Sequence, residues 1–218
     1  MGGDLIMNEI IVKALIETLK MVIVSTTLSV VIGFIPAIIL TVTAKDGLKP
    51  NKMVYNTLDF IVNTLRSFPV LILMVIVIPL TRFLVGKSIG TDAAIVPLTI
   101  AAAPFVARII ESSLREVDKG VIEASKSFGA SNIQIIFKVM LKESIPSIIS
   151  GITLTVISIV GYSAMAGTIG GGGLGDVAIR YGYQRWQIDV MIGTCVVLII
   201  LVQAIQLIGN YFYNKLSK

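Results

Sequence analysis

The 218-residue sequence contains no histidine and a single cysteine. Without histidine, the commonest general base and the usual imidazole metal ligand are both missing. Cys195 sits inside an apolar run with no second thiol, so no disulfide framework exists. Charge is scarce as well: 14% of residues are Asp, Glu, Lys or Arg and 7% are aromatic, against 55% hydrophobic and a mean hydropathy of +0.91. A soluble domain of this length cannot hide so much apolar surface, which makes the chain an integral membrane protein. The net charge of +5 comes from Lys and Arg gathered in loops, which argues membrane topology rather than nucleic acid. Nothing in the composition calls for a cofactor or a metal.

What is present is an all-α, polytopic pattern. Residues 1–20 mix Asp4, Glu9, Lys13 and Glu17 with apolar positions, with the first cation at Lys13 and too long an apolar run behind it for a cleaved secretory signal. They read as an uncleaved anchor, extended by an amphipathic turn or two. A first span at Met21–Ala44 reaches roughly 36 Å at ~1.5 Å per residue, enough to cross a ~30 Å hydrocarbon core. Ser25, Ser29, Gly33 and Ala37 recur every fourth residue and make a ridge for close approach of another helix. After a basic turn at 45–52, apolar character from Phe60 to Val85 gives a second span, interrupted by Asn63, Arg66 and Ser67 before Pro69. Two readings of Arg66 stand: an ionisable group at membrane depth, marking a protein interior or wet cavity, or a helix start near Ser67 from which Arg66 snorkels outward. Ala93–Ile110 is the third span. Pro146 opens the fourth at its first turn, with Ser147, Gly151 and Thr155 as a second small-residue ridge. That helix runs into Gly161, Ser163, Met165 and Gly167 and then Gly170–Gly173, where backbone can pack closely or move. Met165 either lines a pathway or simply packs. Val190–Phe212 is the fifth span, and no internal repeat or second domain is evident, so 1–218 reads as one transmembrane unit.

The longest polar interruption, Asp118–Pro146, carries two short helices. Val121, Ala124 and Phe128 share one face of the first, with Glu123 and Lys126 turned away and Gly129 as its stop. Ser131 and Gln134 form a capping box for the second. Behind it Ile133, Ile136, Phe137 and Met140 make an apolar stripe opposite Gln134, Lys138 and Lys142. A helix–Gly–helix knuckle outside the membrane is a surface for something to grip. Orientation follows from charge. The loop at 45–52, the stretch from Arg108 to Lys142 and the tail (Lys215, Lys218) hold eleven cations, against six on the other side (Lys13, Lys20, Arg82, Lys87, Arg180, Arg185). The knuckle and the C-terminus are therefore expected in the cytoplasm and the N-terminus outside.

Several enzyme motifs nearly form and fail. Gly170, Gly172 and Gly175 have dinucleotide-loop spacing but lie in a membrane hairpin with no preceding strand. Gly86-Lys87-Ser88 resembles the end of a phosphate-binding loop, yet Thr81 occupies the position of its first glycine. The segment from Gly161 to Met165 lacks the final glycine of a nucleophile elbow, and no histidine exists to activate Ser163. The chain is expected to be no enzyme, and any ATP chemistry to belong to a partner.

The knuckle resembles the membrane permease subunits of ATP-binding-cassette importers. Their signature reads Glu-Ala-Ala, three residues, Gly, nine residues, Ile-x-Leu-Pro. Glu123, Ala124, Ser125, Gly129, Val139 and Leu141 fall on it in register, while Lys142 stands where the family has proline, so the second helix is expected to run on toward Ser144. Arg66-Ser67-Phe68-Pro69 is similar to the family's Arg-Ser-x-Pro. IPLTRFLVGKSIG (78–90), AAIVPLT (93–99), APFVARIIE (103–111) and VGYSAMAGTIGGGGLG (160–175) point to the methionine-importer permeases. The resemblance implies a type I importer permease fold with five transmembrane helices in the cytoplasmic (inner) membrane. It implies import of methionine, L- and D-, by a homodimer with the pathway at its twofold axis. The expected partners are two ATP-binding-cassette ATPase subunits, an extracytoplasmic methionine-binding lipoprotein or periplasmic protein, and the bilayer. Coupling to the ATPase would fall on helices at about 118–143, with Val121, Glu123, Ala124, Ser125, Phe128 and Gly129. Arg66, Gly161, Ser163, Met165 and Gly167 are pathway or gate candidates. The alternatives are a permease for another amino acid or an osmolyte and, from another class, an ion-coupled secondary transporter. The latter would want buried mid-membrane carboxylates, whereas Asp59 and Asp189 read as span ends.

Overall fold

The computed structural model describes residues 2–217, with side chains from Glu9 to Ser217, so Asp4 as a side chain and Lys218 fall outside the described residues. Helix α1 (Gly2–Thr43) is continuous through the mixed N-terminal stretch. Its apolar part, Glu9–Thr43, is 35 residues long. At ~1.5 Å per residue that is roughly 52 Å, longer than a hydrocarbon core, so the anchor and the first span are one rod.

Helix α5 (Thr91–Arg115) lies along α1. Ser25 Oγ donates to the Ile95 carbonyl (3.4 Å) and Ser29 Oγ to that of Thr99 (3.1 Å). A Cβ on Gly33 would stand 2.7 Å from the Ala103 oxygen, so only glycine permits this approach. Both hydrogen-bonded pairs are 70 residues apart, so the two helices run parallel. The second ridge also faces α5, with Ser113 and Ser147 hydroxyls 3.0 Å apart and Gly151 against Ile109. Both small-residue ridges are thus filled inside the chain, and neither calls for a second copy.

Two parallel neighbours require the chain to cross back between them. The return is made by α2 (Lys52–Arg66), α3 (Val70–Ile76) and α4 (Ile78–Val85) rather than by the single span expected from Phe60 to Val85. The axes of α2 and α3 differ by 99°. Pro69 explains the break: it has no amide to donate, and it pushes Phe68 out of the helical region. The Ser67 amide closes α2 on the carbonyls of Asn63 and Thr64. Arg66 is therefore the last residue before an elbow, and no helix starts at Ser67. Among the described residues four helices are long and apolar enough to span a membrane, or five if the bent pair is taken as one span.

The knuckle holds α6 (Lys119–Ser127) and α7 (Asn132–Gln134). The Asp118 carboxylate caps α6, accepting from the amides of Gly120 (2.7 Å) and Val121 (3.2 Å). Gly129 follows at φ 78°, the left-handed stop that a β-carbon disfavours. The capping box forms in both directions: Gln134 N–H donates to Ser131 Oγ, and Ser131 N–H to Gln134 Oε1. The second helix then does not end near Ser144. A π-helical turn, Ile135–Met140, joins α7 to α8 (Leu141–Thr168) without interruption, because Lys142 supplies the amide that a proline would lack. Pro146 accordingly lies inside α8 and opens nothing. The wider π turn also rotates the apolar face: Ile135, Ile136 and Met140 are buried, while Ile133 and Phe137, both expected in the stripe, are exposed.

Beyond α8, the short α9 (Gly173–Val177) is pinned to α1, since Gly173 N–H donates to Glu17 Oε2 and Leu174 N–H to Thr18 Oγ1, each at 2.9 Å. A π-helical stretch, Ala178–Tyr183, leads to α10 (Ile188–Leu216), which packs on α8 where Gly209 meets Thr153.

Candidate coupling surface and membrane polar site

Helix α6 is held from one side only. Ile122 packs on the cluster of Val106, Ile110, Leu114, Val117, Ile135, Ile136 and Met140. Val121, Ala124 and Phe128 face away and are exposed, Phe128 at 91%. Glu123 is exposed beside them, and Ser125 Oγ bonds back to the Val121 carbonyl at 2.8 Å. Exposing a phenylalanine so fully gains the fold nothing, so this face suits an external partner. A cleft of about 100 Å³ lies under α6, lined by Asp46, Gly47, Leu48, Arg115, Lys119 and Glu123 among others.

Asp46, in the turn after α1, ties this end together through Arg115 and Lys119, each at 3.3 Å. Its own backbone amide, then the Lys119 ammonium and the charge of Arg115, hold its carboxyl below the ordinary value of 3.8. A depressed acid stabilises above its unfolded pKa and loses that contribution as pH falls through the folded one. The tie is therefore expected to be constant at neutral pH and to loosen only below 3.8. Because Asp46 and Lys119 are both well exposed, Asp46→Asn should shift stability at pH 7 by no more than about 1 kcal/mol, read as the unfolding midpoint of the purified protein against pH.

Above it stands a polar network that the sequence reading passed over. Arg108 pairs with Asp59 and with Glu111, each at 2.6 Å, and also donates to Asn63 at 2.9 Å. Arg115 and the Tyr55 hydroxyl reach the other Glu111 oxygen at 3.4 Å. Glu111 is 2% exposed, so α5 does bury a carboxylate, and Asp59 is an inter-helix partner instead of a span end. With Asp46 and Lys119 the network holds three acids and three cations in balance. The signal was available: Tyr55, Asp59 and Asn63 at i, i+4, i+8, against Arg108, Glu111 and Arg115 at i, i+3, i+7, place one polar stripe on each helix.

The pathway candidates separate onto two faces of α8. Gly161 and Met165 (45% exposed) look outward; Ser163 and Gly167 are buried. The Ser163 hydroxyl donates to the Val160 carbonyl of its own helix at 2.7 Å. Arg66 lies across from α5, its guanidinium 5.9 Å from the Phe105 ring centre, in a cavity shared with Tyr162. The two glycines are not equivalent. A side chain on Gly167 would meet the backbone of Gly175 and Asp176, whereas Gly161 has open space, bordering an apolar groove with Leu198, Ile199 and Val202. Gly167→Leu should therefore reduce the yield of folded protein, at or above the ~1–3 kcal/mol of overpacking. Gly161→Leu should leave yield unchanged and lower uptake. Fluorescence-detected gel filtration beside uptake separates the two.

Residues 29–218 match the family described as binding-protein-dependent transport system inner membrane component. The chain is 51% identical to a probable D-methionine transport system permease protein, MetI, of Vibrio cholerae, covering 96% of this chain and 93% of that one. It is 48% identical to the methionine import system permease protein MetP of Bacillus subtilis, over 83% and 81% of the two chains. Among solved structures, an inward-facing MetNI methionine ABC transporter superposes with a TM-score of 0.95 at 44% identity, covering 97% of this chain and 98% of that one. An amino acid ABC transporter at 20% identity (TM-score 0.79, covering 95% and 94%) shares the fold. With the family match running from within α1 to the end of the chain, the protein belongs to the binding-protein-dependent transport system inner membrane components.

Proposed function

We propose that this chain is the permease subunit of an ATP-binding-cassette importer that moves methionine, L- and D-, inward across the cytoplasmic membrane. It works as a homodimer with two ATPase subunits and is fed by an extracytoplasmic methionine-binding protein. The observation that carries this reading is α6: a helix capped at Asp118 and stopped at Gly129, anchored through Ile122, with its apolar face left uncovered. The relatives named for methionine transport supply the substrate.

The whole of 1–218 then acts as one permease unit, with coupling helices at about 118–143. Val121, Glu123, Ala124, Ser125, Phe128 and Gly129 meet the ATPase. The pathway is lined from the Arg66 elbow and the outward face of Gly161 and Met165, while Ser163 and Gly167 shape α8 behind them. The chain has no nucleotide site of its own, and hydrolysis falls to the partner. Five crossings, implied by the parallel α1 and α5, support termini on opposite sides, the N-terminus outside and the C-terminus cytoplasmic. Glu111 gives an ion-coupled mechanism little support, because two guanidiniums already occupy its oxygens. The test is reconstitution with the ATPase. Methionine-loaded binding protein should stimulate ATP hydrolysis and drive uptake of labelled methionine, whereas uptake that follows an ion gradient without ATP would sink the reading.

A further inference from the structure

Arg66 closes α2, and the contact its guanidinium makes among the described residues is with an aromatic ring. It faces Phe105, the fifteenth of the 25 residues of α5. At ~1.5 Å per residue, that is about 21 Å from one end of α5 and 15 Å from the other. Among the described residues Arg66 joins no ion pair, while Arg108, on the same α2–α5 seam, has two carboxylates. An arginine costs about 2.5–3.5 kcal/mol at the centre of a membrane helix by insertion scales, and less at a helix end such as Arg66. A cation–π contact at this distance returns roughly 0.5–1 kcal/mol, or about 2 when desolvated. What the ring does not return is left to water or to an anion. The cavity around it, about 130 Å³, is lined by Leu65, Phe68, Leu73, Phe105 and Tyr162 among others, and holds no acid. The break at Ser67–Pro69 sets the guanidinium at an elbow, on an exposed corner, instead of in a helix wall.

Building on the importer reading, we infer that Arg66 binds the α-carboxylate of the amino acid in transit, with its thioether side chain held against Phe68, Phe105 and Tyr162. The guanidinium fork matches a carboxylate bidentately, and sulfur makes favourable contacts with aromatic edges. The cavity holds one cation and no acid, so the charge of the carboxylate supplies the affinity.

The experiment uses the complex with its ATPase carrying Phe68→Trp, read as the difference in emission from the unmodified complex, because Trp186 also emits. Methionine titration should give a saturable shift and methionine amide, which lacks the carboxylate, none. Adding Arg66→Gln should weaken the shift at least tenfold and reduce uptake by a similar factor. Arg66→Lys should retain carboxylate selectivity at three- to tenfold weaker affinity, and it carries the test if the Gln variant does not assemble. A shift indifferent to Arg66, an equal shift with the amide, or no shift in a Phe68→Trp complex that imports methionine would each overturn the inference. If the unmodified complex imports no methionine, it is the importer reading that fails, which is a separate result.

Discussion

Replacing Arg108 by leucine should destabilise the protein by about 3–5 kcal/mol, the range for removing one partner of a buried ion pair. The reason is what it leaves behind. Glu111 is 2% exposed and would keep only the longer contacts to Arg115 and Tyr55, while Asp59 would lose its sole cation. A buried carboxylate without its cation carries the desolvation penalty uncompensated. Exchanging both Arg108 and Glu111 for leucine should recover a large part of the loss, because well-packed apolar residues often match a buried pair. The measurement is the unfolding midpoint of the purified protein in detergent, taken as a double-mutant cycle. A loss below about 1 kcal/mol for Arg108→Leu alone would mean that the pair behaves as a surface one.

At the knuckle the expected effect is on assembly and leaves folding alone. Phe128→Ser should leave the unfolding midpoint and membrane level of this chain unchanged, since the side chain is 91% exposed and contributes little to the core. It should strongly reduce co-purification of the ATPase and abolish stimulated hydrolysis. Gly129→Val acts differently. A Cβ there meets nothing within 4 Å, so the penalty is conformational, on the order of 1–2 kcal/mol for a branched residue at φ 78°. Gly129→Asn, which tolerates that region, should be close to neutral. Valine should re-aim α7 relative to α6 and uncouple ATP hydrolysis from uptake, and Glu123→Lys should add to this if its charge meets the ATPase. Full ATPase binding and transport in Phe128→Ser and Gly129→Val would reduce the knuckle to an ordinary loop.

Much of this was legible in order along the chain. Apolar runs longer than about 18 residues locate membrane helices because backbone polar groups in lipid must be satisfied within the segment. The capping box at Ser131 and Gln134 and the stop at Gly129 are local bonds between neighbours, and both formed as the sequence indicates. The Ser25–Ala37 ridge was legible as a packing face, although not its partner: α5, 70 residues on, fills it.

Other features depended on contacts that no local pattern carries. Whether Phe60–Val85 is one helix or three turned on Pro69 and on the space left for an elbow, and with it whether Arg66 stands within a helix, ahead of one or, as found, at the end of one. The π turn at Ile135–Met140 moved Phe137 outward and Ile135 inward, because an i to i+5 bond shifts the face by a fraction of a turn that a 3.6-residue period cannot register. Above all, Asp59 and Glu111 looked like unrelated acids 52 positions apart. They became one site only when α2 lay against α5 and excluded water, since the strength of a charge pair is set by the dielectric around it, and burial is decided by the tertiary fold.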